Sequence, residues 1–298
     1  MMPRALSVVL DGYSFLECPR WHDGRVWVSD FYTHVVVAND GKGHTEVIAT
    51  VSNQPSGLGW LPDGRLLFVS MRDRRLLRKE PSGEVVEHAD LSGLASEMLN
   101  DMVVDATGRA YVGNFGFDLM SGAPIRSAAI FRVDPDGSAQ VAAEDLLFPN
   151  GTVIFDDGTL VVAESFGQRL SAFDVGEDGG LGNRRVWAAF GDPPATDSVA
   201  EALVPGAVAP DGIGADAEGA IWMADALGHR VLRVREGGDI LEEVSTGDMG
   251  VYACMLGGDD GRTLFMCAAP TFAEHERRET REAQLLSCRV DVPHAGLP

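Results

Sequence analysis

The chain has 298 residues, and 45% of them are hydrophobic, which is enough to bury a large core. It carries 24 Lys and Arg against 45 Asp and Glu, a formal net charge of −21 at pH 7. This balance argues against nucleic acid and against an anionic membrane surface as partners, because binding to either needs a basic face.

Cysteine usage and the N-terminal residues indicate a compartment. The four cysteines form no CxxC pair, which argues against a zinc finger or a thioredoxin-type motif. The first residues contain only a short apolar run, and no stretch approaches the ~20 apolar residues of a membrane span. We therefore expect a cytoplasmic protein with reduced thiols and no membrane partner.

One unit recurs six times along the chain: a short apolar stretch, a turn that ends in Gly, and a β-rich run. The turn glycines are Gly24, Gly64, Gly108, Gly158, Gly219 and Gly261. The runs that follow them are RVWVSD, RLLFVS, RAYVGN, TLVVAE, AIWMAD and RTLFMC. Glycine supplies the positive φ that tight hairpins need, and several units contain a second turn of this kind. A unit of about forty residues with four strands is typical of a propeller blade.

The repeat therefore predicts an all-β fold, a six-bladed β-propeller with four-stranded blades in a single domain over residues 1–298. A propeller must close its ring, so we predict that the N-terminal stretch 5–10 completes the last blade and removes two free strand edges. The alternative is two separate all-β domains, but no Pro/Gly/Ser-rich linker divides the chain.

Aligning the six turns places polar residues at one station, the start of the inner strand of each blade. The station falls on Glu17, Ser56, Asn100, Asn150, Asp211 and Ala253. Inner strands line the central channel of a propeller, so these residues should meet at one end, called the top here. Glu, Asn and Asp are poor strand formers and are costly to bury alone. Four oxygen-bearing side chains around one axis predict a site for a hard divalent cation.

Taken singly, Asn150-Gly151 and Asp211-Gly212 are typical of hairpin turns. Their phase with Glu17 and Asn100, and the apolar sequence that follows each, favours the cation site instead. No His or Cys joins the ring, so calcium is the favoured ion. Manganese, magnesium, iron and zinc are the alternatives, and zinc is disfavoured.

These motifs resemble the gluconolactonase, senescence-marker and luciferin-regenerating family of six-bladed propellers. The matching segments are Glu17-Cys18-Pro19-Arg20-Trp21, Asn100-Asp101, Pro149-Asn150-Gly151 and Pro210-Asp211-Gly212. The resemblance implies one metal ion held by Glu17, Asn150 and Asp211, with Asn100 completing the site or holding substrate.

The family's chemistry implies metal-dependent hydrolysis of a small lactone or ester. Asp211 and Asn100 are the candidate catalytic residues. Asn100 would orient the carbonyl or stabilise the developing oxyanion. Either Asp211 or a metal hydroxide would act as the base, and the sequence leaves both open.

Two departures from the family pattern bear on the substrate. Cys18 follows the ligand Glu where family members often have Gly, and strand alternation should turn it away from the channel. Met98 stands two residues before Asn100, where sugar-lactone hydrolases often have Arg. Because Arg binds hydroxyls and acidic groups, its absence predicts a substrate less polar than a sugar lactone. We expect Asn100, Met98, Phe115 and Phe117 to contact that substrate.

Two other functions are open at this point. One is a non-enzymatic propeller that binds a ligand or a protein and holds a structural metal ion. The other is a phosphotriesterase-like hydrolase, since related propellers cleave phosphotriesters.

Overall fold

A computed structural model describes residues 4–204 and 206–296, and most of these residues lie in β-strands. The strands form six antiparallel sheets of four strands each, which are the blades of a six-bladed propeller. The predicted fold class and blade count are therefore confirmed.

The first strand, β1 (Ser7–Tyr13), belongs to the last blade. Blade 1 contains β2 (Leu16–His22), β3 (Arg25–Asp30), β4 (Val35–Asn39) and β5 (Thr45–Thr50). Blade 2 contains β6 (Pro55–Trp60), β7 (Leu66–Ser70), β8 (Arg75–Lys79) and β9 (Val85–Asp90). Blade 3 contains β10 (Leu99–Val104), β11 (Ala110–Asn114), β12 (Ala128–Val133) and β13 (Ala139–Leu146).

The second half of the chain repeats this pattern. Blade 4 contains β14 (Pro149–Ile154), β15 (Thr159–Glu164), β16 (Arg169–Val175) and β17 (Leu181–Ala189). Blade 5 contains β18 (Pro210–Ala215), β19 (Ile221–Asp225), β20 (Arg230–Val234) and β21 (Ile240–Ser245). Blade 6 contains β22 (Gly250–Gly257), β23 (Thr263–Ala269), β24 (Ala283–Arg289) and β1.

The N-terminal strand closes the ring as predicted, although it begins and ends later than the predicted 5–10 stretch. β1 pairs antiparallel with β24, and Ser7 lies opposite Ser287. Each inner strand also contacts the inner strands of both adjacent blades, and β22 contacts β2. The hydrophobic core is built from the side chains packed between neighbouring sheets.

Short helices occur only in connections at the top. They are α1 (Val199–Ala202), α2 (Glu274–Arg277) and a 3-10 turn over Ser165–Gly167. None of the helices formed by the described residues is long and apolar enough to cross a membrane.

The glycines of the repeat serve two different purposes. The six turn glycines all have φ between 70° and 88°, which confirms the alignment of the hairpins. Gly151 and Gly212, which follow ring residues, do not have positive φ. A Cβ on Gly212 would lie 2.5 Å from Ala253 of the next inner strand, so glycine is needed there for close approach. The two ring-station glycines are therefore not hairpin turns.

Candidate metal centre and substrate cavity

The structure brings the four predicted oxygen-bearing residues of the ring together at the top of the channel. Glu17, Asn100, Asn150 and Asp211 are each buried, with 5–7% of the residue exposed, and all four line one cavity. The other two residues at this station, Ser56 and Ala253, are fully buried and do not line it.

A break in strand pairing explains how these side chains reach the axis. In β10, β14 and β18 the register shifts at the ring residue and the residue after it. Two residues there lie opposite one on the neighbouring strand, which is a β-bulge. Such a bulge turns a side chain out of the normal alternation, and here it turns polar groups toward the centre.

The side-chain amides of Asn100 and Asn150 both donate hydrogen bonds to other residues through Nδ2. Asn100 Nδ2 donates to the carbonyl oxygen of Pro149 at 3.2 Å. Asn150 Nδ2 donates to Ser165 Oγ at 3.3 Å. No described residue donates to the Oδ1 atom of either amide, so both oxygens are free to bind a ligand.

The carboxylates of Glu17 and Asp211 have few hydrogen bonds to offset the cost of burying their charge. Burial, together with the charge of Asp101, raises the pKa of Glu17 to about 8, although its Oε2 accepts from the Cys18 N–H at 3.2 Å. Burial and the charge of Glu17 raise the pKa of Asp211 well above its ordinary value. Asp211 Oδ1 is buried and has no hydrogen-bond partner. Two buried acids that raise each other's pKa repel when both are charged, and either protonation or a bound cation relieves that repulsion.

This donor set fits a hard divalent cation. An orphaned carboxylate oxygen, a second buried carboxylate and two amide oxygens are the ligand types that calcium prefers. The described part of the chain contains no group of three His, Cys, Asp or Glu residues placed to hold a metal ion, so the site would depend on the two asparagines. Glu17, Asn150 and Asp211, with Asn100, are the residues that could hold the ion.

A buried ion pair lies next to the ring, and the sequence did not point to it. Arg20 Nη2 contacts Asp101 Oδ1 at 2.7 Å, and both side chains are at most 5% exposed. The guanidinium also donates to the carbonyl oxygens of Pro19, Leu58 and Met102, so its buried charge is well satisfied. The pair places a buried, paired charge next to the ring.

The cavity above the ring encloses about 670 Å³, counting its open mouth. Its walls are mainly aromatic, and these rings are Phe15, Phe31, Tyr32, Phe115, Phe148, Phe166, Tyr252 and Phe272. Leu119, Met120, Leu203 and Leu227 add aliphatic surface. None of the described residues that line the cavity is Lys, Arg or His. Among the described lining residues, the carboxylates are Glu17 and Asp211.

The structure places the four predicted substrate residues differently. Asn100 and Phe115 line the cavity. Met98 and Phe117 are buried in the hydrophobic core and are not among its lining residues. The Met98 carbonyl accepts from the Phe115 N–H at 2.9 Å, and the Phe117 ring packs against Phe166 with centroids 5.3 Å apart. Both therefore support wall residues from behind, and their contact with substrate stays a prediction.

Most of the wall was missed at the sequence level, although a signal was present. Phe15 and Phe148 lie two residues before ring residues, the same offset as Met98. Phe31 and Phe115 directly follow the second strand of their blades, β3 and β11. Phe115 was predicted, and extending the blade alignment by two residues beyond the strands would also have found Phe15, Phe31 and Phe148.

Cys18 lies outside the cavity, as strand alternation predicted. It is buried against Ser56 and has φ of 51°, in the region that favours glycine. Burial raises the pKa of its thiol well above the ordinary value, so it is not an activated nucleophile.

Comparison with known proteins identifies the family. The family described as "SMP-30/Gluconolactonase/LRE-like region" matches residues 15–270. The chain belongs to this family. The match covers all four ring residues and all six blade turns, and it confirms the resemblance seen in the motifs.

Individual relatives are more distant. A 6-deoxy-6-sulfogluconolactonase of Pseudomonas putida is 28% identical over 70% of this chain and 67% of its own length. Regucalcin of Danio rerio is 28% identical over 61% of this chain, and the match spans only 57% of that protein. The solved structure of a calcium-binding protein, regucalcin, from Agrobacterium tumefaciens superposes with a TM-score of 0.79. It is 19% identical, with 99% of this chain and 97% of that chain covered, and it shows the shared fold.

Proposed function

We propose that this protein hydrolyses a small, apolar lactone or ester at a divalent metal site formed by Glu17, Asn150 and Asp211, with Asn100 beside it. The observation that carries the proposal is the buried, unpartnered Oδ1 of Asp211 on the floor of an aromatic cavity. Family membership supports lactone hydrolysis as the reaction.

The cation, calcium in the first instance, would polarise the substrate carbonyl and activate water. Asp211, whose Oδ1 is buried and accepts no hydrogen bond from the described residues, would take the proton of the attacking water unless a metal hydroxide does so. Asn100 has a second N–H that no described residue uses, and it can donate to the carbonyl oxygen as negative charge develops there. Attack on the carbonyl carbon breaks its bond to the ring oxygen, which takes up a proton, and the product is a hydroxy acid.

The walls of the cavity indicate the polarity of the substrate. Eight aromatic rings offer apolar contact, and no described lining residue offers a cationic fork for hydroxyls, carboxylates or sulfonates. Glu17 and Asp211 would also repel an anionic substrate wherever the cation does not screen them. We infer a neutral substrate with an aromatic or aliphatic body, in contrast to the sulfonated sugar lactone implied by the name of one relative.

Metal removal followed by reconstitution tests this proposal. The protein would be stripped with a chelator, titrated calorimetrically with calcium and manganese, and assayed on dihydrocoumarin, gluconolactone and an aryl phosphotriester. We expect turnover of dihydrocoumarin only when cation is restored. A structural ion in a binding propeller would instead restore thermal stability with no turnover of any substrate. Phosphotriester cleavage alone would favour the phosphotriesterase alternative.

A further inference from the structure

Ser165 connects blades 4 and 5 beside the ring of polar residues. It follows β15 in blade 4 and lines the substrate cavity. Its Oγ accepts from Asn150 Nδ2 at 3.3 Å and donates to the carbonyl oxygen of Pro210 in blade 5 at 2.7 Å. Pro210 immediately precedes Asp211, so one hydroxyl touches one predicted ligand and the residue beside another.

The backbone holds this hydroxyl in place. The Ser165 N–H donates to the carbonyl oxygen of Phe148 at 3.2 Å, two residues before Asn150. The 3-10 turn that begins at Ser165 ends at Gln168, whose φ is 48°. The position of Oγ is therefore set independently of the amide it contacts.

The donor and acceptor roles in these two hydrogen bonds determine the orientation of the Asn150 amide. A serine hydroxyl has a single proton, and here that proton is directed to the Pro210 carbonyl. Toward Asn150 the hydroxyl can then only accept, so Asn150 must present its NH₂ group. The reversed amide would place two acceptors against each other. Asn150 Oδ1 is thereby kept for the ring.

We propose that Ser165 is a positioning residue, which orients Asn150 so that its oxygen faces the cation and which ties the ligand strands of blades 4 and 5. This inference rests on the proposed metal site. Partners of this kind beside a ligand typically change metal affinity by about 10- to 100-fold when they are removed.

Blade 1 offers a matched control. Ser29 Oγ donates to the carbonyl oxygen of Ser56 in blade 2 at 2.6 Å, which is also a bond between adjacent blades. Ser56 does not line the cavity, and Ser29 contacts no amide of the ring. S29A therefore removes the same kind of bond without releasing a ligand.

The test compares calcium and manganese affinity by calorimetry in the wild type, S165A, S165T and S29A, with melting temperatures measured alongside. We expect S165A to bind cation at least about tenfold more weakly, S165T to recover most of the loss, and S29A to match the wild type. Unchanged affinity in S165A, or an equal loss in S29A, would overturn the positioning role. A wild type that binds no cation would instead sink the metal site itself.

Discussion

Two sets of buried acids differ in their hydrogen bonds. Asp30, Glu164 and Asp225 end the second strands of blades 1, 4 and 5 and are fully buried. Glu17 and Asp211 begin the inner strands of blades 1 and 5 and are nearly as buried.

The acids that end the second strands are fully used by the fold. Asp30 accepts from the Phe15 N–H at 2.9 Å, Glu164 from the Leu147 N–H at 2.8 Å, and Asp225 from the Ala209 N–H at 3.1 Å. Arginines pair with the latter two. Each accepted N–H lies two or three residues before a ring residue, so these acids fix the chain just before the ring.

The direction of the pKa shift distinguishes Glu164 from Asp211. Burial acts to raise the pKa of Glu164, but hydrogen bonds from Arg169, Ser171 and Leu147 outweigh it, and the pKa is lowered. The pKa of Asp211 is raised because burial and neighbouring acids act together against its charge. Burial of a carboxylate therefore does not identify a binding site. An unfilled set of hydrogen bonds does.

The largest expected effect is on stability. Glu164→Ala leaves Arg169, Arg184 and the Leu147 N–H without their acceptor, so the free energy of unfolding should fall by about 3 kcal/mol. Urea unfolding would measure it, and the exposed Glu84→Ala is the control, with an expected change within about 0.5 kcal/mol. A loss no larger than that of the control would show that these bonds do not stabilise the fold.

The next prediction compares separate replacements of two aspartates in blade 5. Asp211→Asn should weaken cation binding at least about a hundredfold, which is about 2.7 kcal/mol. It should leave the cation-free protein as stable or slightly more so, because it removes an uncompensated charge. Asp225→Asn should do the reverse, lowering stability through its bonds to Ala209 and Arg230 and sparing cation affinity. If the two variants behaved alike in calorimetry and thermal unfolding, the distinction between a cation-binding Asp211 and a structural Asp225 would be wrong.

The smallest expected effect concerns the cavity above the unsatisfied acids. The wild type should turn over dihydrocoumarin with a kcat/KM about tenfold above that for gluconolactone, a difference of about 1.4 kcal/mol in transition-state binding. Phe115→Ala should reduce this preference by removing a wall ring, while Phe155→Ala, outside the cavity, should keep it. A preference for the sugar in the wild type would refute the inferred polarity.

Local sequence patterns were enough to predict the blades and the ring. The turn glycines are in register because each hairpin needs positive φ, and this register located Asn100, Asn150 and Asp211. Glu17 needed a further alignment of Trp21 with Trp60, because the first hairpin is one residue shorter. What could not be predicted depends on the neighbouring blade. Ser165 looks like an ordinary serine until Pro210 of the next inner strand is beside it.

Met98 shows a second limit. Its expected orientation relied on residues two apart in a strand sharing a face. That rule needs a regular strand, but β10 begins at Leu99 and its register shifts between Leu99 and Met102. Phe115, whose N–H bonds to Met98, forms the wall there instead.

The pairing of β1 with β24 also constrains how the protein is made. Ser7 meets Ser287 only after almost the whole chain has left the ribosome. Until then β1 has no partner strand and could pair with another molecule. Contacts of such long sequence separation also form slowly. Closure of blade 6 should therefore be a late step in folding, and the interval before it is the period when the nascent protein is most prone to aggregate or exchange strands.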